Sequence, residues 1–181
     1  MTTAIKRRHL LLGLLLASSV AFAHGPSRLK VKETKRIQAP AAEVWAMIGK
    51  FDNAHVWLPM VESSTTEGGN NEGASRTLAL GPGIEIFEIL KRHSDEKMSY
   101  SYKIPTKKHD VSVLPVTNYA STLSVKEDGD GSIVTWKGAF YRGYPNNDPP
   151  AELNDDAAIA AVTSVYKAGL EHLKKLIENP G

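Results

Sequence analysis

The spacing of hydrophobic and polar residues predicts a chain of one strand, two short helices, six further strands and a long final helix. Loose alternation from Leu29 to Gln38 predicts the first strand. Apolar positions at helical spacing predict a helix over Ala41 to Ile48, and a short helical turn follows near Asp52 to Val56. The six later strands, separated by Gly, Asn and Asp, are predicted over Val61 to Thr66, Arg76 to Leu80, Ile84 to Arg92, Lys97 to Ile104, Tyr119 to Lys126 and Ser132 to Tyr141.

The last part of the chain predicts an amphipathic helix of about five to six turns, given 3.6 residues per turn. Its apolar residues recur from Ile159 to Ile177, and either Asp155 or Asp156 is expected to cap its first turn. An antiparallel sheet of this size has a face to cover, and the long helix is the element that can cover it. The order of elements therefore predicts an α+β fold, a curved antiparallel sheet wrapped around a long C-terminal helix.

The first 23 residues have the pattern of a cleaved signal peptide. Basic residues at positions 6–8 precede a Leu-rich run over residues 10–17, and Ala21-Phe22-Ala23 gives a small-x-small cleavage site. The apolar run is too short to anchor the protein across a bilayer of roughly 30 Å. The Leu-rich core favours the general secretory (Sec) route over the twin-arginine (Tat) route. We expect a periplasmic protein without a stable membrane anchor, in which residues 24–181 form one domain.

Removal of this segment changes the charge of the protein. The 181 residues include 22 Lys and Arg against 20 Asp and Glu, but residues 1–23 hold three of the basic residues and no acidic ones. The remaining chain is therefore close to neutral, at −1, and has little overall electrostatic attraction for nucleic acid. The absence of cysteine excludes disulfides, thiolate metal sites and a Cys nucleophile.

Aromatic residues of shared strand parity indicate a candidate binding cavity. Same-parity positions face one side of a strand, so two strands and the last helix are predicted to enclose an aromatic-lined pocket for a hydrophobic small molecule. The alternative is that these side chains only fill the core, since aromatic residues supply much of ordinary core burial. The candidates are Met98, Tyr100, Tyr102, Val134, Trp136, Phe140 and Tyr166.

Catalytic and metal-binding patterns are weak in this sequence. The histidines after residue 23 show no HExxH or paired ligand spacing, so we expect neither a metal nor a cofactor. Glu85 and Glu88 would serve as a general acid or base if they faced a pocket. Their place in a strand instead favours solvent-facing positions, and we expect a protein that is not an enzyme.

Two stretches of the sequence resemble known proteins. Residues 37–45, IQAPAAEVW, look like the opening of the helix-grip superfamily of START domains, Bet v 1-like proteins and polyketide cyclases. Residues 114–116, 119–123, 136–144 and 146–155 more closely resemble MxaD-type proteins, small periplasmic accessory proteins of methanol oxidation. The first resemblance implies the helix-grip fold. The second implies a non-enzymatic role that assists contact between methanol dehydrogenase and its cytochrome c acceptor.

The loop from Arg142 to Asp155 is the candidate partner-binding surface. Its Pro149-Pro150 pair restricts the backbone, its Tyr and Arg residues are types enriched at interfaces, and its acidic residues suit a basic partner. The alternative is an ordinary rigid connection into the last helix. Two other functions also stay open, namely binding of a hydrophobic small molecule or lipid and, less favoured, a polyketide-cyclase-like reaction. The candidate partner-binding residues are Tyr141, Arg142, Tyr144, Asn146, Asn147, Asp148 and Glu152.

Overall fold

Seven strands and three helices make up most of the computed structural model, which describes residues 25–179. The signal-peptide prediction concerns residues 1–23, which lie outside the described residues. The helices are α1 (Ala41–Ile48), α2 (Ala54–Trp57) and α3 (Asp155–Glu178). The strands are β1 (Leu29–Ile37), β2 (Ser63–Glu67), β3 (Ser75–Gly81), β4 (Ile84–Ser94), β5 (Ser99–Lys103), β6 (Val116–Asp128) and β7 (Gly131–Arg142).

All seven strands join in one antiparallel sheet with the order β1-β7-β6-β5-β4-β3-β2. The register shifts between Leu90 and Arg92 in β4, and between Thr117 and Ala120 in β6. Such bulges bend a strand and increase its twist. The inner face of the sheet packs against α3, mainly through β1 and β7. The predicted α+β helix-grip fold, a curved sheet around the C-terminal helix, is confirmed.

The turn between β6 and β7 is a tight two-residue hairpin loop. Asp128 pairs with Gly131, which leaves Gly129 and Asp130 as the two loop residues. Gly129 has a φ of 64°, a conformation that glycine adopts without steric cost. The tight turn holds the two longest strands in register with each other.

The residue that caps helix α3 is Asn154, which precedes the two positions that the sequence predicts for the cap. The side chain of Asn154 accepts a hydrogen bond from the backbone N–H of Ala157 at 2.8 Å, so the prediction of Asp155 or Asp156 as the cap is wrong. Asn154 has the extended backbone of a capping residue, whereas the two aspartates already lie in the first helical turn. There their charge complements the positive end of the helix dipole.

A glycine allows α3 to approach the sheet and α2 closely. A Cβ atom at Gly169 would lie 2.6 Å from Cδ2 of Leu58 and 3.1 Å from the ring of Trp136. The first distance is too short for a real Cβ contact and the second is tighter than most, so a larger residue here would require its neighbours to shift. Among the helices within residues 25–179, none has the length and apolar character needed to cross a membrane.

Candidate functional site

The interior between the sheet and α3 contains a network of buried hydroxyl groups. Tyr166 of α3 brings its hydroxyl to 2.6 Å from the Tyr119 hydroxyl and 2.8 Å from Ser121 Oγ, both on β6. Trp136 of β7 donates its indole N–H to Ser121 Oγ at 2.9 Å and to the Tyr102 hydroxyl at 3.1 Å. Each group is therefore satisfied without water, as burial requires.

The geometry of Tyr166 depends on its immediate neighbours. Its ring stacks on Trp136 with a centroid distance of 4.1 Å and an interplanar angle of 11°. Its hydroxyl lies over Gly138, where a Cβ atom would come within 2.3 Å of that oxygen. Burial raises the pKa of Tyr166, against the lowering effect of hydrogen bonds to Ser121 and Tyr119. The phenol is therefore neutral near pH 7 and is held as a hydrogen-bonding group.

A buried ion pair lies beside this network. Arg76 of β3 donates from Nε to Glu88 Oε2 of β4 at 2.5 Å, and the two residues face each other directly in the strand register. Arg76 also donates to the carbonyl oxygen of Phe51 at 2.9 Å, and its guanidinium lies 4.2 Å from the centroid of that ring. The prediction that Glu88 faces solvent is wrong, because the side chain is 4% exposed. Glu85 is exposed, as predicted.

The two charges of this pair respond differently to burial. Burial lowers the pKa of Arg76, but the charge of Glu88, the hydrogen bond to it and the electrostatic effects of Tyr100 and Tyr102 together outweigh burial and raise the pKa above its usual range. Burial raises the pKa of Glu88, and the Arg76 guanidinium opposes the rise. Arg76 therefore stays charged inside the protein, where an unpaired charge would be strongly unfavourable.

A small cavity of about 80 Å³ lies between β3, β4 and α3. Its wall is mostly apolar, with the Arg76–Glu88 pair and the Tyr102 and Tyr119 side chains among the lining residues. Several apolar lining residues are only half-buried, including Met60, Leu80 and Val165. A water molecule takes about 30 Å³ of liquid volume, and drug-sized ligands occupy pockets of roughly 300–1,000 Å³. The cavity as it stands accepts only a very small molecule or the end of a longer one.

The predicted cavity residues lie together, but few of them line the cavity. Tyr100, Tyr102, Val134, Trp136, Phe140 and Tyr166 are all buried on the inner side of the fold. Of these, only Tyr102 and Trp136 contact the cavity, and the others pack in the core around it. Met98 differs from its prediction as a strand residue. It lies in the turn before β5 with a φ of 43°, where its side chain is partly buried against the core but does not line the cavity.

The sequence prediction missed four polar residues that surround the interior: Arg76, Glu88, Tyr119 and Ser121. The parity of these residues along their strands could have predicted that they are buried. Arg76 is in phase with buried Leu78, and Glu88 with buried Leu90. Charge favoured a solvent-facing position for Glu88, and only the opposite charge on a paired strand makes burial acceptable.

The predicted partner-binding loop is held in one conformation by Arg142. Its guanidinium donates to the carbonyl oxygens of Tyr144 and Asn146, both at 2.8 Å, and lies 3.5 Å from an Asp155 oxygen. The backbone N–H of Tyr144 donates to the Leu153 carbonyl oxygen at 3.2 Å. The loop is therefore an ordered surface that Arg142 stabilises from inside.

The seven loop candidates divide by exposure. Tyr141, Arg142 and Tyr144 are half-buried, and Arg142 is occupied by contacts within the loop. The remaining four are exposed: Asn146, Asn147, Asp148 and Glu152. The exposed side of the loop thus presents polar and acidic groups.

A curved antiparallel sheet around one long helix, with polar groups and a small apolar cavity between them, defines the Bet v 1-like class of helix-grip proteins. The chain belongs to the family described as polyketide cyclase / dehydrase and lipid transport, whose model matches residues 28–178. The abscisic acid receptor PYL6 of Arabidopsis thaliana is 22% identical over 160 residues, which cover 86% of this chain and 72% of the receptor.

Solved structures share both sequence and fold with this chain. The protein XoxI from Bacillus cereus is 33% identical, with a TM-score of 0.68 over 83% of this chain and 96% of that chain. A putative uncharacterized protein from Bacillus thuringiensis is 32% identical, with the same TM-score over 83% of this chain and all of that one. Ara h 8.0201 shares the fold alone, at 13% identity and a TM-score of 0.63 over 84% of this chain and 99% of that chain. Membership of this family gives the chain the potential to bind ligands.

Proposed function

We propose that this protein is an exported, non-enzymatic accessory protein of methanol oxidation, which assists productive contact between methanol dehydrogenase and its cytochrome c acceptor. The observation that carries the proposal is the ordered loop fixed by Arg142, which presents exposed polar and acidic side chains. The resemblance of this loop and its adjoining strand to MxaD-type proteins supports the same conclusion.

The filled interior favours a surface function over catalysis. The cavity of about 80 Å³ leaves little room for a substrate beside the tyrosine network. The buried tyrosines keep their protons, because burial raises the pKa of Tyr102 and Tyr119 well above the usual value of 10.0. Glu88 is engaged with Arg76, so it is not free to act as a general base.

The charge of the loop suits a basic partner. Asp148 and Glu152 are exposed, and Asp156 lies on the adjoining first turn of α3. Acidic groups on a preformed surface accelerate encounter with a basic protein and orient it. Because Arg142 already orders the loop, little conformational entropy is lost when a partner binds.

A reconstituted electron-transfer assay tests this role. The protein should raise the rate of cytochrome c reduction by methanol dehydrogenase, and the D148N/E152Q variant should lose at least about half of that increase. Asn is chosen at residue 148 because the backbone φ there is 54°, which Asn tolerates. The control variant E62Q/E67Q removes two exposed carboxylates from another part of the surface. Full activity of D148N/E152Q, or no effect of the parent protein, contradicts the proposal.

Export has its own test. The full chain, expressed in a Gram-negative host, should be recovered from the periplasm with a mass that corresponds to a start at His24. Substitution of Ala21 and Ala23 by bulky residues should block cleavage, because signal peptidase requires small residues at these positions. A cytoplasmic product with an intact N-terminus contradicts export.

A second candidate function is binding of a hydrophobic small molecule. It is supported by the apolar cavity, by its half-buried rim and by polar groups that are able to orient one end of a ligand. Mass spectrometry of extracts from detergent-free protein should then detect a ligand. Its yield should fall in Val165→Phe, which fills the cavity, and persist in the control Ile159→Phe, which alters an exposed position of the same helix. Extracts without any ligand argue against this function.

A further inference from the structure

The outer face of the sheet, opposite α3, carries an open groove of about 1290 Å³. Six basic side chains line it, and Glu72 is the only acidic residue in its lining: Lys30, Lys32, Lys91, Arg92, Lys97 and Lys137. After residue 23 the chain has 19 basic and 20 acidic residues. The groove therefore carries +5 and the rest of that chain −6, so a nearly neutral protein has a strongly positive surface.

The strand register places these charges in an ordered row. Lys32 of β1 lies opposite Lys137 of β7, which lies opposite Thr122 of β6. Thr122 in turn faces Ser101 of β5, and Ser101 faces Arg92 of β4. A row of paired residues across five strands thus has cations at both ends and hydroxyl groups between them. Four interstrand steps of about 4.8 Å make it roughly 19 Å long.

The basic residues of this row lack internal partners. Within residues 25–179, none of Lys32, Lys137 and Arg92 has a carboxylate within 4 Å, and all three are exposed. Like charges placed directly opposite each other across two strands, as Lys32 and Lys137 are, destabilise a sheet. A bound anion removes that repulsion, because it forms ion pairs with the unpaired cations and accepts hydrogen bonds from the hydroxyl groups.

We propose that this outer groove binds an extended acidic segment of a partner protein. An extended chain covers about 3.3–3.6 Å per residue, so the row of roughly 19 Å accommodates about six residues. Acidic side chains at the ends of such a segment meet Lys32, Lys137 and Arg92, while its centre meets Ser101 and Thr122.

The floor of the groove favours a polypeptide over other anions. Its outward side chains are small, as at Ser99, Ala120 and Ala139, so no exposed aromatic ring is available to stack on a nucleic-acid base. The exposed large hydrophobic residues of the described chain, Val56, Ile84 and Ile159, lie outside the groove lining, so the groove presents no large apolar side chain for insertion into a bilayer.

Binding of a labelled hexaglutamate peptide to the purified full chain tests the proposal. Fluorescence anisotropy at low salt should detect binding that weakens as salt rises. The variant K32Q/R92Q/K137Q should bind roughly tenfold more weakly. The control K50Q/K126Q/K167Q removes three exposed cations outside the groove lining and should stay within about twofold of the parent protein.

Amide chemical shifts locate the bound peptide. The peptide should shift the backbone amides of Ser101 and Thr122, and both triple variants should retain the dispersed spectrum of the folded protein. Absence of peptide binding, equal weakening by both triple variants, or shifts confined to another surface overturns the proposal. Tighter binding of a single-stranded oligonucleotide of equal charge, or of phosphatidylglycerol vesicles, to the same groove also overturns it, because the occupant is then not a protein.

Discussion

Gly138 lies beneath the hydroxyl of Tyr166, and its replacement by alanine tests the packing of the interior. The added Cβ would lie 2.3 Å from the Tyr166 oxygen and 3.3 Å from its Cζ atom. The ring has little freedom to move away, because it stacks on Trp136 and hydrogen-bonds to Tyr119 and Ser121. Gly138→Ala therefore forces Tyr166 of α3 away from β7.

Two costs contribute to the expected loss of stability. Overpacking of a close-packed core typically costs about 1–3 kcal/mol. Displacement of the Tyr166 hydroxyl also breaks two buried hydrogen bonds, each worth about 1 kcal/mol. We expect Gly138→Ala to lower the free energy of unfolding by about 3–5 kcal/mol. Tyr166→Phe removes the hydroxyl without adding volume, and should cost about 1–2 kcal/mol because Tyr119 loses its partner.

A double-mutant cycle measured by urea unfolding at neutral pH separates the clash from other effects. In G138A/Y166F the oxygen that meets the new methyl group is absent. The double variant should therefore be more stable than the sum of the single losses predicts, by about 1–2 kcal/mol. Losses that add within about 0.5 kcal/mol would mean that the two residues do not interact as described, and would refute the reasoning.

Three further predictions concern the ion pair, the tyrosines and the helix cap. Glu88→Ala should lower the free energy of unfolding in urea by about 3–5 kcal/mol, because it leaves Arg76 buried and unpaired. The apolar R76M/E88L variant should lose less stability, and the opposite order contradicts the burial argument. Burial raises the pKa of four of the six tyrosines in the folded protein: Tyr100, Tyr102, Tyr119 and Tyr166. The stability that these neutral phenols contribute is therefore fully present below pH about 10, the pKa of an unfolded tyrosine, and is lost as the pH rises above it. The four tyrosines should form phenolate absorbance only as the protein unfolds, and ionisation before unfolding would contradict this. Asn154→Ala should lower stability by about 1 kcal/mol through loss of the cap, while the exposed control Asn147→Ala should stay within about 0.5 kcal/mol.

The order and type of the strands and helices could be predicted because their hydrophobic periods are regular. The helix over Ala41–Ile48 has the predicted bounds, and every predicted strand has an observed counterpart. The errors occur where the backbone conformation of a single residue decides where a strand or helix begins. Alternation alone extended β5 back through Met98, but a turn with positive φ interrupts it there. Asn154 caps α3 because of its backbone angle, which the residue types do not specify.

The interior site could be predicted only in part. Aromatic parity correctly placed Tyr102, Trp136 and Tyr166 near one another, because parity depends on a single strand or helix. The burial of Glu88 depends on Arg76, and their pairing requires the register between β3 and β4. The close approach of α3 to the sheet depends on Gly169, which lies against Leu58 and Trp136. Such distances arise from the packing of separate elements, which no local pattern determines.

The pairing of β1 with β7 has a consequence for the order in which the protein can fold. Leu29 pairs with Phe140, so the first strand has no sheet partner until more than 100 further residues are available. A chain that ends before β7 leaves β1 as a free strand with unpaired backbone groups, which are prone to pair with other chains. During synthesis, β1 therefore stays unpaired until β7, in the C-terminal half of the chain, has been made. The sheet can therefore be completed only late, after nearly the whole chain has been made.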